Sequence, residues 1–458
     1  MTSSSFEPIS RLSRAWSYRL LLICALMGTL NGYCQQTSSS LSPEIDRQEM
    51  ETLLTFLAAD AMRGRATGSP ELDQAAQYIH QYFQAQGLQA HFQSFAKIDK
   101  NALQAQVLIG DRSLDEERWA LLSSFPEMRF QAAEACLTII DGNLTQAEDT
   151  WLTFWRECLA QSQHPEMHVQ EITAPQLVVV APHLADFFHN IIKAEVNAQS
   201  LVPSPLTALL VVLATPVEAQ ELYCQLSQPQ GLRLHNVIGR LEGQEPAKGS
   251  VIFSAHYDHI GILPPNAAGD SIANGADDDA SGVVAVMLLA KHFAQQTPKP
   301  IRDLYFVAFT AEEVGGYGSR YFTQTITPEL VSAGINIEMI GKVSKFGEKS
   351  LFLTGFEKST LGPLLQKALA GSVYQILPDP YPQLKLFYRS DNATLARAGI
   401  PAHTLSSVPL DTDTHYHQVT DEVSTLALDN MHQLITAIAK ATHGLVQGLD
   451  TPSRISRK

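Results

Sequence analysis

From His235 onward, short apolar runs alternate with helix-length stretches, and this alternation constrains the fold more than any other feature. Residues 236–239, 250–254, 304–309, 335–337 and 400–405 have the length and composition of strands. Residues 281–295, 361–370 and 425–445 have helical length. Strands alternating with helices predict an α/β fold with a mixed, largely parallel central sheet flanked by helices on both faces. Ligands in such folds collect beyond the carboxyl ends of the strands.

Two further helices are predicted between residues 45 and 88. The first carries Met50, Leu53, Leu54 and Leu57 on one face. The second starts at Ser69-Pro70, a capping residue followed by a proline suited to the first helical position, and it ends at Gly87. Its apolar face is Leu72, Ala75, Ala76, Ile79 and Phe83. Both faces read as core. Residues 96–232 contain apolar runs at 177–180 and 209–213 that suit buried strands, but no chemical motif. The expected division is a catalytic domain from 35–95 and 233–449, an insert or accessory domain at 96–232, and a polar tail at 450–458.

Residues 1–34 read as an export signal. Arg11, Arg14 and Arg19 precede the apolar run LLLICALMGTL and a polar exit. Eleven apolar residues are too few for a bilayer span, which takes about 20. An exported chain, periplasmic or extracellular, with no stable membrane span after signal removal is expected. Loss of three Arg and one Glu with the signal takes the net charge from −15 to −17. A chain this acidic lacks the basic face that displaces counterions from phosphates, so nucleic acid is not an expected partner. The remaining cysteines, Cys136, Cys158 and Cys224, form no CxxC pair, which argues against a thiolate zinc site.

Five segments at strand ends carry the chemistry. They are AHYDH (255–259), NGADDDASG (274–282), TAEEVGGYGS (310–319), NIEMIG (336–341) and THYHQVTD (414–421). Each has a bland reading alone: a structural histidine, helix-capping acids, a solvated acidic turn, a polar loop. Together they supply imidazoles and carboxylates without thiolates, the donor set of hydrolytic zinc. The adjacent acids Glu312 and Glu313 diverge at a strand end, so one can bind metal while the other takes a proton. Asp258, two residues beyond His256, can orient that imidazole. Two Zn2+ ions are balanced by Asp278, Glu313, Glu338 and one hydroxide, and a neutral cluster suits a low-dielectric cleft.

In order, these motifs, together with YRSDN (388–392) and GIPA (399–402), resemble the family of di-zinc aminopeptidases that also includes glutamate carboxypeptidases and glutaminyl cyclases. The resemblance covers about residues 45–95 and 235–445. It implies that His256 and Glu338 hold one zinc, that Glu313 and His417 hold the other, and that Asp278 bridges them. It further implies Glu312 as general base to a metal-activated water, Asp258 as support for His256, and Tyr416 as a candidate oxyanion donor. Ser390 and Asp391 match a segment lining the site. The family commonly has Asp where Glu338 stands, and often His where Asn392 stands. The implied activity is exopeptidase hydrolysis of peptides with a free amino terminus. The alternatives are a glutaminyl-cyclase-like transferase with a single zinc and a non-catalytic relative that keeps the metal.

Overall fold

The structure, a computed structural model, describes residues 43–160, 174–203 and 208–456. The export reading of residues 1–34 lies outside the described residues. Among those described, no helix is long and apolar enough to cross a membrane.

A nine-stranded sheet organises the molecule. Its strands, in chain order, are β1 (Gln89–Lys97), β2 (Leu201–Pro203), β3 (Leu232–Leu241), β4 (Ser250–His256), β5 (Asp303–Phe309), β6 (Val331–Ile337), β7 (Ser350–Leu353), β8 (Gln375–Pro378) and β9 (Ala402–Ser406). The spatial order is β8-β7-β9-β6-β4-β5-β3-β1-β2. The middle block β5-β4-β6-β9 is parallel, as is the β7–β8 pair. The pairs β3–β5, β1–β3, β1–β2 and β7–β9 are antiparallel. The sheet is therefore mixed, with its parallel strands concentrated at the centre.

Side-chain alternation sends the two faces of each strand into different cores. On β4, Val251, Phe253 and Ala255 join the larger core, whereas Ile252 joins a smaller one on the opposite face. The larger core is closed by α1 (Arg47–Leu57), α2 (Pro70–Ala85), α3 (Gly282–Ala294), α5 (Leu361–Ala368) and α7 (Leu428–Val446). The smaller one is closed by α4 (Tyr317–Thr325) and α6 (Asn392–Arg397), through Phe322 and Leu395. The start of α2 follows from its sequence. Ser69 Oγ accepts the N–H of Leu72 at 3.1 Å, and Pro70 fills the first helical position. Loss of such a cap costs about 1 kcal/mol.

The segment read as an insert carries two further four-stranded sheets. One is built from Gln104–Ile109, Arg112–Ser113, Glu127–Gln131 and Leu222–Ser227. In the other, the runs at 177–180 and 209–213 are fully buried parallel neighbours. The ends of this segment are stitched into the main sheet, because β1 runs to Lys97 and β2 pairs with it. Among the described residues, Cys136 and Cys224 have no disulfide partner.

Candidate metal centre

The four parallel strands of the centre end on one edge, and this places the chemistry. His256 is the last residue of β4. Glu312 and Glu313 follow β5, and Glu338 follows β6 directly. Asp278 enters from the turn before α3, and His417 from the loop before α7.

Ala311 (φ 58°), Met339 (φ 50°) and His417 (φ 57°), none of them glycine, have left-handed backbone at this edge. The first precedes Glu312, the second follows Glu338, and the third is itself a candidate ligand. Each such residue costs on the order of 1–3 kcal/mol, and strain of this kind clusters at functional sites.

The geometry centres on Asp278. His256 Nε2 lies 3.2 Å from Asp278 Oδ1 and 3.7 Å from Glu338 Oε1. His417 Nε2 lies 3.2 Å from Asp278 Oδ2 and 3.2 Å from Glu313 Oε2. The ligand atoms of His256, Asp278 and Glu338 lie within 4.8 Å of one another, as do those of His259, Asp278 and Glu313. Asp278 is common to both groups, with one oxygen turned to each. The structure thus brings together all five ligands expected from the sequence.

The three consecutive acids divide their work. Asp277 Oδ1 accepts the N–H of Gly341 at 2.6 Å, and Asp279 Oδ1 accepts those of Met339 at 3.0 Å and Gly282 at 3.1 Å. Asp278 faces the histidines. Its own N–H and that of Asp277 are held by the buried carboxylate of Asp421, at 3.0 Å for Asp278. Of these acids only Asp279 accepts an N–H at the start of α3, whereas Asp277 holds backbone beyond β6.

Asp258 is fully buried. Its carboxylate accepts the N–H of Glu312 at 3.1 Å and of Glu313 at 3.4 Å, and the hydroxyl of Thr67 at 2.9 Å. It lies 3.9 Å from His256 Nδ1, whose nearer contact is the Asp258 carbonyl at 3.1 Å. Asp258 therefore fixes the Glu312–Glu313 turn by its carboxylate and His256 by its backbone. Ser390 donates to Glu338, and Asn336 donates to Ser390 at 2.8 Å. Asn392 is tied to the Phe387 carbonyl and to Thr404. Tyr416 stacks on His417 with ring centroids 4.0 Å apart. His415 turns outward to Thr420.

The electrostatics of the cluster favour added positive charge. Burial alone would lower His256, yet Asp278 and Glu338 hold it well above its ordinary value. Asp278 and Glu313 drive His417 up to about 10. Burial would raise Asp278 and Glu313, but the histidines hold Asp278 far below the carboxylate range and Glu313 near 2. Carboxylates that force protons onto two neighbouring imidazoles form a site for positive charge, and a divalent cation satisfies it by displacing those protons. His256 Nε2 is buried without a well-directed hydrogen bond. Ligand atoms on a tetrahedral zinc lie about 3.3 Å apart, close to three of the four ligand separations given above. The residues therefore fit a pair of zinc ions.

Burial, then neighbouring carboxylates including Glu338 and Asp391, push Glu312 up to about 10. Beside Glu338, Ser390 and Tyr416 opens a cavity of about 160 Å3, whose apolar walls include Phe352, Leu386, Val408 and Leu410.

Two residues at this site carried no assigned role in the sequence. His259, 1% exposed, sets Nδ1 2.8 Å from Glu313 Oε1. Arg65, equally buried, donates to the carbonyls of Leu57, Tyr257, Asn274 and Gly275. His259 stands within the AHYDH motif, which was a usable signal. Arg65 bonds only to backbone, and nothing in the sequence marks that.

Fold and site together define an α/β protein with two candidate cation-binding groups that share Asp278 at the carboxyl edge of its sheet. Residues 236–442 match Peptidase family M28. Leucine aminopeptidase 1 of Fusarium vanettenii is 28% identical over 244 residues, covering 50% of this chain and 59% of that protein. A probable zinc metalloprotease of Pyricularia oryzae is 34% identical over 126 residues, covering 28% of this chain and 23% of that one. The chain thus spans less than two thirds of the length of these curated relatives. A zinc aminopeptidase of Bacillus subtilis has a similar fold, with a TM-score of 0.52 at 16% identity, covering 89% of this chain and 96% of that one. Over residues 236–442, a little under half of its length, the chain is thus similar to Peptidase family M28.

Proposed function

We propose that this chain is a zinc-dependent aminopeptidase, exported by its N-terminal segment, that removes single residues from the free amino termini of peptides. The observation that carries the reading is the sharing of Asp278 between two ligand groups at the carboxyl edge of the sheet. His256 and Glu338 would hold one zinc, Glu313 and His417 the other, with Asp278 between them. Bound there, the pair supplies Lewis-acid polarisation of a carbonyl and a water acidic enough to react near neutral pH.

The chain's own residues do the rest. Glu312, carried by the turn that Asp258 clamps, would ionise once bound cations offset the burial and the acids that raise it, and it then accepts a proton from the attacking water and returns it to the leaving amine. Tyr416 is kept as a neutral phenol, because burial and the acids Asp278, Glu313 and Glu338 raise it, so it can donate to a developing oxyanion. The apolar cavity beside Glu338 is close in size to one that holds a benzene-sized group, about 150 Å3, and so suits one apolar side chain. The surrounding carboxylates favour a substrate ammonium.

The test is a panel of aminoacyl and N-acetylated aminoacyl nitroanilides, assayed with metal analysis. Hydrolysis of leucyl but not N-acetyl-leucyl substrate, lost on chelation and restored by zinc, is expected. Turnover of blocked substrates, or activity that survives chelation, would overturn the reading. One zinc per chain with cyclisation of N-terminal glutamine would favour the transferase.

A further inference from the structure

We propose that His259 is a positioning residue that holds Glu313 in a one-oxygen posture toward the second cation. The proposal rests on the paired-zinc reading given above. The two oxygens of Glu313 are divided between two imidazoles. Oε1 lies 2.8 Å from His259 Nδ1, and Oε2 lies 3.2 Å from His417 Nε2.

The distances separate the two roles. A contact of 2.8 Å is a hydrogen bond, shorter than the roughly 3.3 Å between two ligands on one tetrahedral zinc. His259 Nδ1 is also 3.8 Å from Asp278 Oδ2, whereas His417 Nε2 is 3.2 Å from the same atom. His417 therefore has ligand spacing to both acids, and His259 has donor spacing to one. His259 Nε2 is buried, with no hydrogen-bond partner among the described residues. A proton there would be an orphaned donor, so the proton belongs on Nδ1, facing Glu313.

The ring is held in place. The N–H of His259 donates to the carbonyl of Arg65 at 3.2 Å. The ring lies against Gly275, where a Cβ would fall 2.6 Å from its Cγ and Cδ2. An outer hydrogen bond of this kind orients a carboxylate ligand and prevents it from grasping the ion with both oxygens.

The experiment titrates the metal-free full chain with zinc against a chromophoric chelator, and with Co2+ read by visible absorption. Wild type, H259A, H259N and H417A are compared. Wild type should take up two ions. H259A should lose about 10- to 100-fold in affinity for one ion and keep the other. H259N, whose amide can donate to the same oxygen, should recover most of that loss with a wild-type Co2+ spectrum. H417A should lose the same ion more severely. Wild-type affinities in H259A would overturn the proposal. So would an H259N as weak as H259A with a changed Co2+ spectrum, which would make His259 a ligand. A wild-type chain that takes up no metal overturns the paired-zinc reading, and the proposal with it.

Discussion

The guanidinium of Arg65 donates to the carbonyl of Tyr257 at 2.9 Å and to that of Asn274 at 2.7 Å, so one buried cation joins the strand end bearing His256 to the turn bearing Asp278. Further bonds reach Gly275 at 3.0 Å and Leu57 at the end of α1. Burial lowers Arg65 to about 10, against the pull of Asp421, Asp258, Asp278 and Asp279. It stays charged at neutral pH. Arg65→Met would leave four buried carbonyls without this donor and remove a cation from among acids. A loss of about 3–5 kcal/mol is expected. Urea unfolding in excess chelator, which keeps metal release out of the comparison, measures it. Arg65→Lys should recover part of the loss.

Acid should destabilise the fold through His403. This residue is buried, with Nδ1 at 2.8 Å from the Thr354 carbonyl and Nε2 at 2.7 Å from Ser359 Oγ. Burial lowers it from 6.5 to about 4. Between these values the unfolded chain binds a proton that the folded chain does not, so stability is full above about pH 6.5 and falls as the pH drops toward 4. The total is on the order of 3 kcal/mol. Urea midpoints in chelator across this range should fall for wild type and fall less for His403→Asn.

The cavity beside Glu338 should set the preferred first residue. Leu410 lines it and is only partly buried, so a larger side chain there can fill the space without overpacking the core. Leu410→Trp should raise KM for leucyl substrates about tenfold or more and affect alanyl substrates less. Equal effects on both would show that the first side chain lies elsewhere.

Glu312→Gln should keep the metal content and lower kcat by about 10²- to 10⁴-fold, with KM changed little. Steady-state kinetics with metal analysis on the same preparation measures both. Unchanged kcat would assign the base elsewhere.

Much of the central sheet was legible because its strands carry an apolar signal of their own. Runs such as Ile252-Phe253 and Phe306–Phe309 are buried from both sides. The helices at 47–57 and 70–85 were legible because their apolar spacing and the Ser69 cap act locally. Helix α4, YGSRYFTQT, was not legible. It is largely polar, and Gly318 is needed because a Cβ there would meet Asn236 and Thr310 at 2.4 Å, a constraint set by the fold. Strands β7 and β8 are four residues each, and β8 ends in a proline at the sheet edge. In the site, ligand types followed from the motifs. The assignments of Asp277 and Asp279 to backbone, and of Asp258 to the Glu312–Glu313 amides, depend on which strand ends meet, and spacing does not encode that.

The most direct measurement is zinc reconstitution of the metal-free chain, following leucyl-nitroanilide hydrolysis against zinc added per chain. Activity absent without metal and saturating at two equivalents is the predicted result. Full activity in the metal-free chain, or a protein that holds no zinc at all, would contradict the account.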